Sequence, residues 1–171
     1  MIQLQPFTKT DFAQLIAWVD TEELLMQFAG SLFHFPLRAA QLEIYLKEKN
    51  RFAYKVVDLS TNSSIGHAEI YLTDNEVASL CRILIANPAH RGKGYGYQVV
   101  QQLLAFSFTQ LKVKQAALNV FDWNTSAIRC YEKAGFSINE SNIQKREVNG
   151  KIWTALNMTI NKSHWLNRPP A

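Results

Sequence analysis

The chain has 171 residues, of which 47% are hydrophobic, so we expect one domain with a substantial core and exclude a disordered chain. Its formal charge of +4 is scattered along the sequence, so we expect no nucleic-acid partner. Because no apolar run reaches about 18 residues and the N-terminus carries no secretion signal, we expect no membrane partner and a cytoplasmic location.

The first half of the chain predicts a short strand, three helices and an antiparallel meander. The first expected elements are a strand at 2–4, which ends at Pro6, and a helix capped by Thr8 or Thr10, with Phe12, Leu15, Ile16 and Trp18 on one side. Two more helices are expected, one at 22–28 between Thr21 and Gly30 and one at 38–49 after Pro36. A strand at 52–57 follows, and then hairpin arms at 65–72 and 76–86 around Thr73-Asp74-Asn75.

A glycine-rich turn, Arg91-Gly92-Lys93-Gly94-Tyr95-Gly96, separates the buried-looking strand 80–86 from an amphipathic helix that runs to about residue 111. Its three glycines permit close approach of a ligand and positive φ angles. The first amides of the helix have no intrahelical partner, and the helix dipole is positive at that end. The turn therefore predicts a site for a phosphate-bearing cofactor, with a tight connection that binds nothing as the alternative.

Two common phosphate motifs are absent from this turn. A P-loop would need Ser or Thr after a Gly-Lys pair, and the sequence has none. A dinucleotide fingerprint would need a third glycine where Val99 stands, and an acidic ribose ligand near the position of Lys114.

A second motif, from Asn124 to Phe136, follows an apolar strand predicted at 116–120. Asn124 or Thr125 can cap a helix, and Gly135 is a natural residue to end it. One face of that helix carries Asn124, Ala127, Ile128 and Tyr131. Tyr131 can also be read as a core tyrosine whose hydroxyl bonds the backbone.

The last part of the chain predicts a hairpin with arms at 143–148 and 151–160 around Asn149-Gly150, followed by a loosely held tail at 161–171. The order of the elements predicts one domain over residues 1–160, with a mixed α/β (α+β) sheet. Cys81 and Cys130 fall in predicted core elements without metal-ligand spacing, so we expect reduced thiols and no metal site.

Together, the two motifs resemble those of the GNAT family of N-acetyltransferases. Arg91-x-x-Gly94-x-Gly96 is similar to the family's pyrophosphate loop, and the segment from Asn124 to Phe136 is similar to its second signature, so the resemblance is clear over 64–136. It implies a GNAT-like acyl-CoA N-acyltransferase fold, with a central, mostly antiparallel sheet and flanking helices. It also implies acetyl-CoA as co-substrate and direct acetyl transfer, in a ternary complex, to a primary amine of a small molecule or a peptide N-terminus. We expect a monomer or a homodimer.

The resemblance also assigns site residues. It implies that Tyr131 is the general acid for the departing thiolate, that Asn124 contacts the pantetheine arm, and that the strand before the glycine turn splays from its neighbour to present backbone amides. The implied cofactor-binding residues are Leu84, Ile85, Ala86, Arg91, Gly92, Lys93, Gly94, Tyr95, Gly96 and Asn124.

The general base stays open. Many relatives carry a glutamate in the strand before the glycine turn, but residues 79–83 contain no carboxylate. Glu69 on the preceding strand is a candidate, and His67, Asp74 and Glu76 are others, although residues of these types are more often solvated strand or turn positions. A water chain could also carry the proton, or the amine could arrive neutral.

The sequence gives little information about which amine accepts the acetyl group. The C-terminal hairpin and the helix containing Trp18 resemble the branch that includes ribosomal-protein N-terminal and spermidine acetyltransferases. The acidic residues Asp20, Glu22 and Glu23 could attract a cationic amine, but a helix N-terminus favours such residues without any ligand. Two other functions remain open, a non-catalytic acyl-CoA sensor and a regulator that binds another nucleotide at the glycine turn.

Overall fold

In residues 1–74, 76–90 and 92–168, which this computed structural model describes, an eight-stranded sheet is flanked by six helices. The strands are β1 (Ile2–Pro6), β2 (Arg51–Asp58), β3 (Ser63–Leu72), β4 (Val77–Ile85), β5 (Gln115–Phe121), β6 (Ser137–Ile138), β7 (Gln144–Val148) and β8 (Lys151–Asn161). The helices are α1 (Phe12–Trp18), α2 (Glu22–Ala29), α3 (Ala39–Tyr45), α4 (Tyr95–Thr109), α5 (Thr125–Lys133) and α6 (Lys162–Leu166).

The sheet runs in the order β1-β2-β3-β4-β5-β8-β6, and β7 also pairs with β8. All of these pairings are antiparallel except that of β4 with β5. The mixed, mostly antiparallel sheet with flanking helices confirms the predicted fold class. Within the described part, no helix combines the length and the apolar character needed to cross a membrane.

The main core lies between the sheet and α4. Five apolar residues of α4, spaced as expected for one helix face, are completely buried: Val99, Val100, Leu103, Leu104 and Phe108. A second core holds the N-terminal helices together and includes Leu15, Leu42 and Leu84. Because Leu84 belongs to β4, this second core fixes α1–α3 against the strand that precedes the glycine turn.

Local sequence signals predicted several boundaries correctly. Thr21 accepts a hydrogen bond from the Leu24 amide and so begins α2, which Gly30 ends with a φ of 59°. Asn149 and Gly150, with φ of 49° and 73°, form the tight turn between β7 and β8.

Two predicted elements differ from the structure. The helix expected at 38–49 covers only Ala39–Tyr45, because residues 47–50 are exposed and offer no apolar side chain to pack. The expectation of a loosely held tail is wrong over residues 161–168. Asn161 ends β8, the Trp165 ring packs 5.3 Å from that of Phe108, and Arg168 donates hydrogen bonds to the Ala134 carbonyl and, at 3.1 Å, to Gln101.

Candidate active site

A cleft opens where two neighbouring strands separate. β4 and β5 pair only over Val77–Ser79 and Gln115–Ala117, and beyond these residues no pairing continues between them. The resulting cavity of about 980 Å³ is lined by the end of α2, by β4, by the glycine turn, by α5 and by β7. The splayed strand that the family resemblance implied is therefore present in the structure.

A β-bulge accompanies this separation. The register of β3 against β4 shifts between His67 and Glu69, so that Arg82 and Ile83 both lie opposite Ala68. Arg82 adopts a φ of 50°, which is unfavourable for a residue with a side chain. Its carbonyl accepts a hydrogen bond of 3.0 Å from His67 Nδ1, which helps to hold this conformation.

The same pairing decides which amides of β4 face the cleft. The Ala86 N–H donates to the Ile65 carbonyl at 2.9 Å, and Leu84 lies opposite His67 on β3. Because successive amides of a strand point to opposite sides, the Leu84 and Ala86 amides face β3 and the Ile85 amide faces the open side. Only one of these three expected amides is therefore free to meet a ligand.

Glu69 lies in a buried charge cluster that also contains Arg51, Arg82 and Tyr45. Its carboxylate is completely buried and accepts hydrogen bonds from both guanidinium groups and from the tyrosine hydroxyl. Burial alone would raise the pKa of Glu69, but hydrogen bonds and charge from Arg82, with help from Tyr45 and Arg51, hold it below its usual range. Glu69 is thus not the solvated strand residue that we expected.

His67 lies beside this cluster. Its ring is buried, packs edge-on against Phe7 and Phe28, and contacts the Tyr45 hydroxyl at 3.4 Å. Burial lowers the pKa of His67 to about 4. Because the Arg82 carbonyl can only accept, Nδ1 carries the proton of the neutral ring.

The other two candidate bases are remote from the cleft. Asp74 accepts hydrogen bonds from the Glu76 and Val77 amides in the turn before β4. Glu76 forms an exposed ion pair with Lys114. Neither residue lines the cavity, and the same holds for Asp20, Glu22 and Glu23.

The glycine turn forms one wall of the cleft. Gly92 and Gly94 have φ angles of 74° and 77°, and a Cβ at either position would meet no atom within 4 Å. Gly94 precedes α4 without a side-chain cap, so the amides of the first turn have no side-chain acceptor. Open space beside free amides at a helix N-terminus suits a pyrophosphate.

Other side chains add to this wall. The buried Nδ1 of His90 has no hydrogen-bond partner in the described part of the chain. Arg129 and Lys133 of α5 also line the cavity. Tyr95 lines the cleft, but its hydroxyl donates a hydrogen bond of 2.9 Å to Asp58 and so contributes to the fold. Lys93 is not among the lining residues, and Arg91 lies outside the described residues.

Helix α5 brings Asn124 and Tyr131 to the same cavity. Asn124 Oδ1 caps the helix by accepting from the Ala127 amide at 3.4 Å and from the Ser126 hydroxyl at 3.2 Å. The capping uses the oxygen of the amide group, which leaves its nitrogen available to a ligand.

Tyr131 carries a phenol that is protonated at neutral pH. Burial, followed by the neighbouring thiols of Cys130 and Cys81, raises the pKa of Tyr131 well above its usual value. Its hydroxyl makes no hydrogen bond to the residues that the structure describes, which differs from the core tyrosine considered as the alternative. Burial in the same cleft also raises the pKa of the Cys81 thiol to about 11.

The opposite half of the cleft, which we call the acceptor half, contains residues that sequence reasoning missed. It is formed by residues 24 and 26–32 of α2 and the following turn, Leu80 and Arg82 of β4, Phe121 of β5, Gln144 and Arg146 of β7, and Ala155 of β8. Arg146 lies in the predicted hairpin, but nothing in the local sequence indicated that β7 would reach the cleft.

Comparisons with known proteins agree with this geometry. Residues 2–137 match the family described as an acetyltransferase (GNAT) domain. A prophage-derived uncharacterised N-acetyltransferase of Bacillus subtilis is 28% identical over 60% of this chain and 59% of its own. Spermidine N(1)-acetyltransferase of Vibrio cholerae is 33% identical over 51% of this chain and 50% of its own, so the chain matches between half and three fifths of these two relatives.

Two further similarities extend over more of the chain. Aminoglycoside N(6′)-acetyltransferase type 1 of Klebsiella pneumoniae is 27% identical over 79% of this chain and 73% of its own. The crystal structure of Vibrio cholerae spermidine N-acetyltransferase in complex with CoA and spermine superimposes with a TM-score of 0.81 at 24% identity, covering 97% of this chain and 98% of that one. At this level of identity, the superposition shows a shared fold.

Proposed function

Because this chain belongs to the GNAT acetyltransferase domain family, whose members use acetyl-CoA, we propose that it transfers an acetyl group directly from acetyl-CoA to a primary amine. The acceptor is a small molecule or a protein N-terminus, held in the cleft together with the donor. One observation carries the proposal: the free Ile85 amide, the open α4 N-terminus and the Tyr131 phenol all belong to one cavity.

The cofactor half of the cleft fits the polyanionic donor. The turn at Gly92 and Gly94 and the first amides of α4 would hold the pyrophosphate, and the Asn124 amide nitrogen would bind the pantetheine arm. Arg129 and Lys133 supply positive charge nearby. When bound, acetyl-CoA supplies an activated thioester.

The Ile85 amide is the donor best placed to stabilise charge on the thioester oxygen. A backbone N–H held by a bulged strand needs no reorganisation during the reaction, which makes this type of stabilisation effective. The buried cluster around Glu69 fixes the bulge, so we assign Glu69 a positioning role through Arg82. This replaces the general-base role expected for Glu69, because a carboxylate held by two guanidinium groups is a weak base.

Tyr131 is the proton donor for the leaving thiolate. A phenol with a raised pKa would be poorly matched to a thiol in water, whose pKa is about 8.5. However, the same cleft raises the pKa of the Cys81 thiol to about 11, and a leaving thiol beside it experiences the same burial. The pKa values of the Tyr131 phenol and of the leaving thiol therefore approach each other, which favours general acid catalysis.

The acceptor amine loses its proton without a carboxylate in the cleft. Arg82 and Arg146 line the acceptor half, and nearby positive charge lowers the pKa of an ammonium group. The neutral amine is thereby favoured, and water can carry away the proton.

The second candidate function is a non-catalytic acyl-CoA sensor. One observation favours it: none of the described residues that line the cleft is Asp or Glu. A screen of primary amines with acetyl-CoA, monitored by the release of the CoA thiol, separates the two functions. An enzyme releases thiol only when an amine is added, whereas a sensor binds acetyl-CoA with the same calorimetric signal and releases none.

A further inference from the structure

The acceptor half of the cleft has an unusual charge. Among its described lining residues, the ionisable side chains are Arg82 and Arg146, and no carboxylate accompanies them. The remaining lining is largely apolar and includes Leu24, Phe28 and Phe121. A site for a polycation would need the opposite arrangement, with carboxylates around the acceptor.

Arg146 spans the entrance of this half, from β7 to the turn after α2. Its guanidinium donates to the Ser31 hydroxyl at 3.2 Å and to Gln144 Oε1 at 3.4 Å, and lies beside Gly30. Both of these hydrogen-bond acceptors are neutral, and the described residues form no ion pair with Arg146. A guanidinium has five donor hydrogens, so Arg146 keeps donors for a further partner.

The floor of the acceptor half is also positive. Glu69 is the carboxylate of the buried cluster, and it faces two guanidinium groups, those of Arg51 and Arg82. The cluster therefore carries a net charge of +1, because the guanidinium groups, with help from the Tyr45 hydroxyl, keep the buried Glu69 carboxylate ionised against the effect of burial. Arg82, which belongs to this cluster, also lines the cleft.

We propose, on the basis of the acetyltransferase function above, that the acceptor is an amine that also carries a carboxylate, and that Arg146 binds this carboxylate. The apolar lining favours an amino acid or a short peptide with an apolar side chain. Planar, two-point binding of a carboxylate is the interaction to which a guanidinium is best suited.

The positive charge of the cleft has two opposite effects on an acceptor amine. Positive charge favours the neutral, reactive form of the amine but repels its protonated form, which predominates in solution. An anionic group on the same molecule offsets this repulsion on binding. Polycationic amines, such as the substrates after which the spermidine and aminoglycoside relatives are named, have no such group.

The test is a kinetic comparison of matched acceptors. CoA release from acetyl-CoA is measured with the twenty amino acids, with the carboxamides of those that react, and with spermidine. We expect at least one apolar amino acid to react with a kcat/KM about 10- to 100-fold above that of its carboxamide, the range for hydrogen bonds to a charged group. Spermidine should be the poorer acceptor.

Two variants identify the residue that is responsible. Arg146→Gln should lower kcat/KM for the reactive amino acid about 10- to 100-fold more than it lowers that of the carboxamide. The carboxamide loses only the effect of the positive charge on its amine. Lys145→Gln is the matched control, because it removes the same charge from the neighbouring position of β7, which does not line the cleft, and it should alter neither acceptor. Melting temperatures and acetyl-CoA affinity confirm that both variants are folded.

The outcomes separate this inference from the function on which it rests. Turnover of spermidine or of carboxamides in preference to the matched amino acids would overturn the inference and keep the acetyltransferase. Equal loss for both acceptors in Arg146→Gln would remove Arg146 from carboxylate binding and overturn it as well. Binding of acetyl-CoA without thiol release for any amine would overturn the proposed function and the inference together.

Discussion

At the scale of single residues, Tyr131 and Glu69 have different roles from those that a search for a carboxylate base would suggest. The Tyr131 phenol faces the cleft beside Cys81 and keeps its proton because burial raises its pKa. Glu69 is completely buried and forms ion pairs with Arg51 and Arg82. The proposed mechanism therefore uses a proton donor and a strand amide rather than a carboxylate base.

Replacing Tyr131 with phenylalanine tests the proton donor. The ring and its packing remain, and only the hydroxyl is lost. We expect kcat to fall by about 10²- to 10⁴-fold with little change in the KM for acetyl-CoA. Tyr54→Phe, which removes a half-buried hydroxyl outside the cleft, should leave kcat unchanged. Near-normal turnover in Tyr131→Phe would make solvent the proton source.

At the scale of elements, β3 and β4 approach each other closely next to the bulge. A Cβ on Gly66 would lie 2.0 Å from the backbone oxygen of Leu84, so β3 and β4 can pair here only with glycine at this position. The contact positions the segment of β4 whose Ile85 amide faces the cleft.

Gly66→Ala should therefore destabilise the fold and misplace that amide. We expect a loss of about 3 kcal/mol in the free energy of unfolding, measured in urea, because backbone must move to admit the methyl group. Gly150→Ala, at a positive φ but in open space, should cost only about 1 kcal/mol. Equal losses in the two variants would show that the strand contact is unimportant.

The elements also show how far local sequence can predict this molecule. Asn124, Gly135 and the Asn149-Gly150 turn were predicted because caps and tight turns depend on a few neighbouring residues. The bulge at Arg82 and the burial of Glu69 depend on how β3 pairs with β4, which a local pattern does not specify. Arg146 lines the cleft because of where the β7–β8 hairpin packs, which a local pattern does not specify either.

At the scale of the whole molecule, the cluster around Glu69 and His67 joins α3 and three strands through buried polar groups. The groups that face His67 are Tyr45, Glu69, Arg51 and Arg82, together with the rings of Phe7 and Phe28. Because this buried cluster connects a helix to three strands, its titration should affect global stability.

The free energy of unfolding should fall as the pH decreases from about 6.5 to 4. His67 has a folded pKa of about 4, below the value of about 6.5 in an unfolded chain, so the unfolded chain binds the proton first. The loss for this residue is about 3 kcal/mol. Glu69, whose folded pKa is lowered, adds a further loss below about pH 4.3.

Urea unfolding at several pH values measures this dependence. His67→Asn keeps a donor for the Arg82 carbonyl and should flatten the curve between pH 6.5 and 4. His164→Gln, which removes an exposed histidine, should retain the slope of the unaltered protein. A slope that survives in His67→Asn would assign the pH dependence to other groups.

The most direct test of the whole account is calorimetric titration with acetyl-CoA of the unaltered protein and of Gly94→Leu and Gly150→Leu. Both glycines have a positive φ and open space beside them, but only Gly94 lines the cleft, so the two variants share the backbone strain and differ in the blocked site. We predict that Gly94→Leu weakens binding by at least about tenfold, or about 1.4 kcal/mol, while Gly150→Leu binds like the unaltered protein. Equal affinities in all three proteins, or no binding by the unaltered protein, would contradict the assignment of this cleft to acetyl-CoA.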